Sequence, residues 1–465
     1  MRNEYRVVFT GHAGLNKAMA ITRFCKHIED AAILAHIPDA AVRLFSAEAQ
    51  FNVPKVFNRP RDEQARMWGR SFSSAISGLN ATSLPGAYFL SSHLTYQWHS
   101  SFFSPASWTF QRHAPQHNAH ASDLITVLRN DFVPSCFITL IDDVQSVQQR
   151  VRETGHYLRL RELLSWRSVE IMVTDLDATQ TIGRRLPPDF VEEYPYEGNF
   201  VVSIRQSADM LARLIFQPEC PRIYASFPIS RPRKMADPVM AEQTRREIDA
   251  FRALLRENFA TFDPVTIDEL PLARLLLSTT QNTGAVTLPA SYRWLIPPEQ
   301  TLCGEEVVDI DGVSIAELCD VCLPMEGPTK SELRRHTTSR DLRLIDQSDC
   351  IVVYRPTMSS APGEQKHYQE GWSKGTAEEV RYANTRGRAI IVVRDPERDG
   401  ELGTGTLGFE LSPGEVVEAP RIDDDGNRHQ LFQLLVSKIT GATRAAVARR
   451  QAVMEALSTE GEGRS

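Results

Sequence analysis

The sequence has no long apolar run and no cysteine framework. The apolar segments of its 465 residues stay short of the ~20 residues that span a bilayer, and the N-terminus has no apolar core typical of a signal peptide. The seven cysteines are scattered and odd in number, which favours a reducing compartment over a disulfide-stabilised fold. We therefore expect a cytoplasmic protein that does not contact a membrane.

Basic charge and metal-ligand patterns are equally sparse. The 52 Lys and Arg residues are outnumbered by 59 Asp and Glu residues, giving a net charge of −7. Such a chain has no general attraction to nucleic acid, so we expect no nucleic-acid partner. Cys319 and Cys322 form a CxxC with Cys303 nearby, but no second CxxC and no clear histidine partner accompany them. A zinc site is therefore not expected.

What the chain does contain is a series of short apolar runs separated by segments of helical periodicity. The runs that predict buried strands are residues 5–10, 87–94, 135–141, 222–226, 351–354 and 389–393. Alternation of strands with helices is typical of parallel sheets. We predict an α/β protein with two doubly wound parallel-sheet domains, at 1–205 and 216–440. The second carries an insertion at about 265–335, and residues 458–465 are expected to form a disordered tail.

The first predicted strand leads into a glycine-containing turn and then a helix. The turn, G-H-A-G-L-N-K-A, contains Gly11, Gly14, Asn16 and Lys17. It resembles the phosphate-binding loop of P-loop NTPases, G-x-x-x-x-G-K-[ST], in which backbone N–H groups and the lysine hold phosphates. Asn16 stands in place of the second glycine. Ala18 replaces the hydroxyl that would hold Mg²⁺.

A second element of the same resemblance follows the strand at 135–141. Asp142 and Asp143 lie where such proteins carry the acid of the Mg²⁺ site, and Arg150 and Arg152 come soon after. The resemblance is to the adenylate-kinase-like branch. It implies that ATP or another nucleotide, with Mg²⁺, binds in the first domain. A degenerate nucleotide-sensing domain, or a plain turn with a solvated Lys17, is also compatible with these residues.

Three segments of the second half resemble the nucleoside 2-deoxyribosyltransferase family. They are I-Y-A-S-F-P-I-S at 223–230, D-Q-S-D-C-I-V-V at 346–353 and G-T-A-E-E-V-R-Y-A at 375–383. Their order matches the family core over about residues 221–395. The resemblance implies a flavodoxin-like domain that is commonly oligomeric, so we expect a homo-oligomer. Family members transfer deoxyribosyl groups between bases or hydrolyse the N-glycosidic bond of nucleoside 5′-monophosphates.

The resemblance also implies roles for individual residues. Glu379 corresponds to the nucleophile on C1′ of the sugar, and Asp349 to the acid that handles the leaving base. Ser373 stands where transferases carry an aspartate for the sugar 5′-hydroxyl, and this exchange favours a 5′-phosphate. The segments also supply candidate substrate contacts: Tyr224, Ser226, Phe227, Gly375 and Thr376, with Arg231 and Arg233 as possible charges for the phosphate.

Elementary chemistry is consistent with these roles. Cleavage of an N-glycosidic bond passes through an oxocarbenium-like state that a carboxylate under C1′ can stabilise. A second acid of raised pKa can protonate the base. No cofactor is needed for this reaction. Because Asp349 opens one predicted strand and Glu379 opens a helix, we expect both at the same rim of the sheet.

Several alternatives remain open from the sequence. Thr376-x-x-Glu379 is also the pattern of a helix capping box, in which the glutamate only satisfies a backbone N–H. The bond in NAD is of the same kind, so an NAD glycohydrolase is a rival. The imperfect P-loop also permits a nucleotide-sensing regulator without turnover, or a nucleotide kinase with an inert second domain.

Overall fold

The computed structural model describes most of both halves of the chain. The described residues are 4–37, 40–47, 60–80, 85–98, 101–103, 133–155, 157–229, 238–269, 272, 276, 301–304, 315–323, 331–354, 373–394, 416–418 and 425–462. Arg231 and Arg233 lie outside them, as do residues 463–465. Within these ranges, every helix is too short or too polar to cross a lipid bilayer.

The N-terminal half contains a sheet of five parallel strands. With an antiparallel pair that follows the third strand, its strands are β1 (Glu4–Thr10), β2 (Ala41–Ser46), β3 (Gly86–Ser91), β4 (Tyr96–Trp98), β5 (Ser101–Phe103), β6 (Cys136–Ile141) and β7 (Asn199–Ser203). The parallel strands lie in the order β2-β3-β1-β6-β7. Strands β3, β6 and β7 are buried along their whole length, as expected where both faces of a sheet are covered.

Helices cover both faces of this sheet. They are α1 (Lys17–Asp30), α2 (Arg61–Asn80), α3 (Val144–Glu153), α4 (Leu160–Thr181), α5 (Pro188–Glu193) and α6 (Ala208–Phe216). Phe24 of α1 shares a core with Val7 of β1, whereas Phe72 of α2 shares a separate core with Val8. Because successive strand residues point to opposite faces, this division places α1 and α2 on opposite sides of the sheet.

The C-terminal half repeats the arrangement. Its strands β8 (Arg222–Ser226), β9 (Ala260–Phe262), β10 (Cys350–Tyr354), β11 (Ala389–Arg394) and β12 (Val416–Glu418) are parallel and lie in the order β12-β11-β10-β8-β9. Its helices are α7 (Pro238–Asn258), α8 (Ile315–Cys322), α9 (Glu332–Asp346), α10 (Lys374–Thr385) and α11 (Asp425–Glu462). Apolar residues of α9 and α10 pack on one face of the sheet, and those of α7 and α11 on the other. The predicted α/β class with two parallel sheets is confirmed.

The two halves pack closely against each other. A single apolar core contains Val7 and Phe9 from the first sheet together with Tyr224 and Val353 from the second. At the edge strand β7, the side-chain amide of Gln347 donates to Val201 O (2.8 Å) and accepts from Val201 N (3.0 Å). This amide replaces a neighbouring strand at that position.

The last helix contacts both halves. Leu431, Leu435 and Ile439 pack into the core of the C-terminal sheet, while Val453 belongs to a core of the N-terminal half. Helix α11 continues to Glu462, so the predicted disorder is wrong for residues 458–462. Its last third is rich in alanine, arginine and glutamate, which favour helix propagation.

The described parts of the predicted insertion lie against the N-terminal half. Leu302 N donates to Gln206 O (3.0 Å) and Cys303 N donates to Ile204 O (2.9 Å), just after β7. Helix α8 follows, and its Glu317 accepts a hydrogen bond from Gln148 of α3 (2.8 Å). These segments therefore add contacts between the two halves.

Candidate active site

The carboxyl edge of the C-terminal sheet brings Ser226 and Glu379 together. Ser226 is the last residue of β8, and Glu379 lies on α10, which follows the neighbouring strand β10. The Ser226 hydroxyl donates to Glu379 Oε2 at 2.5 Å. Two of the predicted site residues, separated by more than 150 positions in the chain, are therefore in direct contact at the edge where ligands bind in open α/β sheets.

Helix α10 begins differently from the capping-box pattern. Ser373 is the N-cap, and its hydroxyl accepts the N–H of Thr376 (3.1 Å) and lies 2.8 Å from the Thr376 hydroxyl. Glu379 consequently falls in the second turn of the helix, where its backbone neighbours already have helical partners. The expectation that Glu379 occupies the first turn is wrong, and so is the capping-box alternative. Its carboxyl group is available to the site.

The surroundings of Glu379 favour its neutral form. Burial raises the pKa of its carboxyl group, and the nearby charge of Asp341 raises it further. Hydrogen bonding by Ser226 and interaction with Tyr224 act in the opposite direction, and the pKa reaches about 8. The side chain keeps partial access to solvent. A glutamic acid with these properties can exchange its proton near neutral pH, which suits acid–base or nucleophilic chemistry.

Asp341 belongs to the site although the sequence gave no sign of it. It lies on α9 beside Arg340, whose Nη2 donates to Asp341 Oδ1 at 2.9 Å. Burial raises the pKa of Asp341, while Arg340 opposes that shift. An Arg-Asp pair in a polar helix is typical of a solvent-exposed face, so only the packing of α9 against the sheet shows that Asp341 influences Glu379.

The other predicted substrate contacts divide between two faces. Tyr224 and Ser226 are two residues apart on β8 and share the face of Glu379, whereas Phe227 packs in the core on the opposite face. Thr376 is buried and Gly375 is exposed. No heavy atom of the described residues lies within 4 Å of the Cβ position of Gly375, so a ligand can approach its backbone.

Asp349 lies at the opposite edge of the sheet. It precedes β10, accepts the N–H of Arg222 at the start of β8 (2.9 Å) and forms an ion pair with Arg450 of α11. Because the strands are parallel, Ser226 and Glu379 lie at their other ends. The expectation that Asp349 and Glu379 share one rim is wrong: the residue that opens a parallel strand belongs to its amino edge.

The amino edge is instead a buried ionic cluster. Arg222 forms two hydrogen bonds with Glu197, at 2.7 and 2.9 Å, and Arg450 reaches Glu197 as well as Asp349. Burial alone would raise the pKa of Glu197, but the two guanidinium groups outweigh it and lower the pKa. All four side chains are buried, so the cluster holds α11 and the N-terminal half against the second sheet.

In the N-terminal half, the predicted phosphate-binding turn is closed on itself. Gly11 and Gly14 adopt positive φ angles, and Asn16 is the left-handed N-cap of α1. Lys17 Nζ donates to Gly11 O (2.6 Å) and lies 2.6 Å from His93 Nδ1. The strand–turn–helix form agrees with the prediction, while the lysine contacts the turn itself.

Two residues that the sequence did not single out shape this turn. Glu170 of α4 accepts the N–H of Gly11 (3.1 Å) and those of Leu94 and Thr95 (both 2.8 Å). His93 follows directly after β3, next to the carboxyl end of β1. A polar residue at the end of a parallel strand is a signal that could have identified His93. Nothing in the sequence around Glu170 marks it.

Asp142 and Asp143 also lie at this edge but in different environments. Asp142 pairs with Arg150 (2.5 Å) and Arg205 (2.6 Å). Burial would raise its pKa, but the two arginines outweigh burial and lower it. Burial and the charge of Asp142 raise the pKa of Asp143 to about 7. With Asp142 neutralised by two guanidinium groups, these residues do not fit a Mg²⁺ site.

A further carboxylate links the two edges that carry these sites. Glu269, after β9, accepts from Arg167 of α4 (2.7 Å) and from the N–H of Val144 at the start of α3 (3.2 Å). Its second oxygen lies 3.8 Å from Arg340, the partner of Asp341. The N-terminal turn and Glu379 are thus joined through one chain of buried charges.

No protein-family model and no curated protein matches this sequence. Among the described residues, no group of three or more metal-ligating side chains comes together.

Proposed function

We propose that the C-terminal half cleaves the N-glycosidic bond of a nucleoside 5′-monophosphate, with Glu379 as the nucleophile. The observation that carries this proposal is the contact between Glu379 and Ser226 at the carboxyl edge of a parallel sheet. The resemblance to the nucleoside 2-deoxyribosyltransferase family supports the same assignment. Transfer of the sugar to a second base in place of water is an alternative outcome of the same chemistry.

The mechanism follows from the charge state of Glu379. Once its proton has left, the carboxylate can attack C1′ or stabilise the oxocarbenium-like transition state, as in retaining glycosidases. The hydrogen bond from Ser226 holds one carboxylate oxygen, which leaves the other free for the sugar. Water then hydrolyses the glycosyl ester and regenerates Glu379.

The beginning of α10 is suited to a phosphate group. Ser373 is exposed, uncharged and located at the N-terminus of a 12-residue helix, where the helix dipole favours anions. The open surroundings of Gly375 allow close approach to the backbone. We therefore place the 5′-phosphate here.

The test is chromatography of free bases after incubation with a panel of nucleoside 5′-monophosphates, the matching nucleosides and NAD. Glu379→Gln should lower base release by about 10³-fold or more while the protein remains folded. Glu378→Gln on the same helix is the matched control and should change the rate only a few-fold. Unchanged base release by Glu379→Gln would remove the nucleophile assignment.

A second function is proposed for the N-terminal half: nucleotide binding without phosphoryl transfer. The observation in its favour is the pairing of Asp142 with Arg150 and Arg205, together with Ala18 in place of a hydroxyl. Binding of phosphates at the turn would require Lys17 to leave Gly11 O and His93. Lys17→Ala should weaken nucleotide binding, as measured by calorimetry; ATP turnover by the parent protein would favour a kinase.

A further inference from the structure

The charges around Glu379 are predominantly negative. Asp341 and Glu378 both act to raise its pKa, and the nearest described cation, Arg340, is engaged elsewhere. Arg340 holds Asp341 Oδ1 through Nε (3.1 Å) and Nη2 (2.9 Å) and donates to the Ile267 carbonyl (2.9 Å). Its charge is therefore committed to Asp341 and the backbone behind it.

A buried hydroxyl completes this side of the site. Tyr224 is fully buried beneath Glu379 and favours the ionised carboxylate. Its oxygen forms no hydrogen bond of normal geometry with any residue that the structure describes. The carboxyl group thus has Ser226 as a firm donor, a phenol group below it and like charge beside it. Ionisation of Glu379 in the empty site is consequently unfavourable.

A positive charge on the ligand removes this obstacle. A cation within a few ångströms of two carboxyl groups favours the ionised form of both, and in a partly buried site the effect reaches about 10²-fold in affinity. A neutral base lacks this advantage. It also needs a proton before it departs, and Asp349, the acid expected to provide it, lies at the other edge of the sheet.

We infer that the substrate of this site is a nucleotide whose base carries a formal positive charge at the glycosidic nitrogen, of the pyridinium class. This inference rests on the proposed glycosidase function. Glu379 loses its proton when the cationic nucleotide binds. Its carboxylate then bonds to C1′, the C1′–N electron pair passes to the ring nitrogen, and the base leaves neutral. Water hydrolyses the ester, giving the sugar phosphate, the carboxylate and one proton.

The binding test uses nicotinamide mononucleotide and its reduced form, which have the same skeleton with and without the pyridinium charge. Titration calorimetry at pH 6.5, in two buffers of different ionisation enthalpy, gives affinity and proton release together. We expect the oxidised form to bind at least ten-fold more tightly and to release close to one proton. Equal affinities and no proton release would overturn the inference.

Asp341→Asn provides an independent measurement, since it removes one negative charge from the site. It should reduce the preference for the oxidised form about ten-fold, while Glu242→Gln, on the exposed side of α7, should leave it unchanged. An unchanged preference in a folded Asp341→Asn protein would contradict the inference. If that variant does not fold, the comparison of the two forms on the parent protein still decides.

Base release separates this inference from the proposed function. Nicotinamide release that exceeds the release of adenine from AMP supports both. Efficient adenine release with no preference for the cation would preserve the glycosidase and overturn the inference. If no substrate loses its base, the glycosidase proposal fails, and the binding data alone judge the preference for charge.

Discussion

Asp349 and Glu379 belong to the same small sheet but lie at opposite edges of it, and their surroundings differ accordingly. Asp349 accepts a backbone N–H and forms a buried ion pair with Arg450. Glu379 has a neutral donor, Ser226, and an acidic neighbour, Asp341. The first carboxylate is fully compensated, while the second is kept close to neutrality. A carboxylate with full ionic partners contributes to structure, whereas one without them retains the capacity to exchange a proton.

The largest expected effect on stability concerns the amino edge. Arg450→Ala removes the ionic partner of Asp349 and leaves that carboxylate buried, so the free energy of unfolding should fall by about 3–5 kcal/mol. Urea denaturation followed by circular dichroism measures this change. Arg449→Ala is the adjacent control: Arg449 pairs with Asp189 and Glu193 on the surface, and its loss should cost less than about 1 kcal/mol.

Equal losses for the two arginine variants would show that burial of the cluster contributes nothing. The comparison between the edges would then lose its physical basis. Base release by folded Arg450→Ala should remain close to that of the parent protein, because Arg450 is remote from Glu379.

A smaller effect is expected from pH at the carboxyl edge. Glu379 has a pKa of about 8 in the folded protein, above the value of about 4.3 for an unfolded chain. Between these values the folded state binds more protons. Its contribution to stability is therefore complete below the lower value and is lost as pH rises through the higher one.

Glu379→Gln removes this dependence. Between pH 5 and pH 9 the parent protein should lose about 2 kcal/mol of unfolding free energy relative to the variant, a figure reduced for the partial exposure of the side chain. Parallel denaturation series at several pH values measure the difference. Identical pH profiles would mean that Glu379 is ionised throughout, like Asp349.

The smallest effect concerns the N-cap of α10. Ser373→Ala should lower stability by about 1 kcal/mol, and Ser331→Ala, the N-cap of α9, should cost a similar amount. Ser373→Asp keeps a good cap but adds a charge where we place the 5′-phosphate. It should therefore raise the KM for a nucleoside 5′-monophosphate without affecting the matching nucleoside. An equal effect on both substrates would remove the phosphate from this helix.

The sequence predicts the fold well where apolar runs are continuous. The runs at 222–226 and 389–393 coincide with β8 and with β11 apart from one residue. Neither β2 nor β7 is predicted. Arg43 interrupts the apolar run of β2, and β7 is only five residues long and follows a proline-rich stretch. Such strands are fixed by their neighbours in the sheet rather than by local pattern.

The candidate site is predicted only in part. Ser226 and Glu379 were expected to lie in one site because their surrounding motifs follow a family order, and the structure brings them together. Asp341 depends on how α9 packs, which no local pattern reports. Asp349 was assigned to the wrong edge, because proximity along the sequence to a strand does not state which end of the strand the ligand meets.

The position of the ionic cluster in the chain has a consequence for synthesis. Arg450 lies on the last helix, whereas its partners Asp349 and Glu197 precede it by more than a hundred residues. During translation both carboxylates wait for that helix, and the two halves of the protein associate without their common clamp until it emerges. Chains that stop before residue 450 should accordingly remain in loosely joined, aggregation-prone states, however complete their two sheets are.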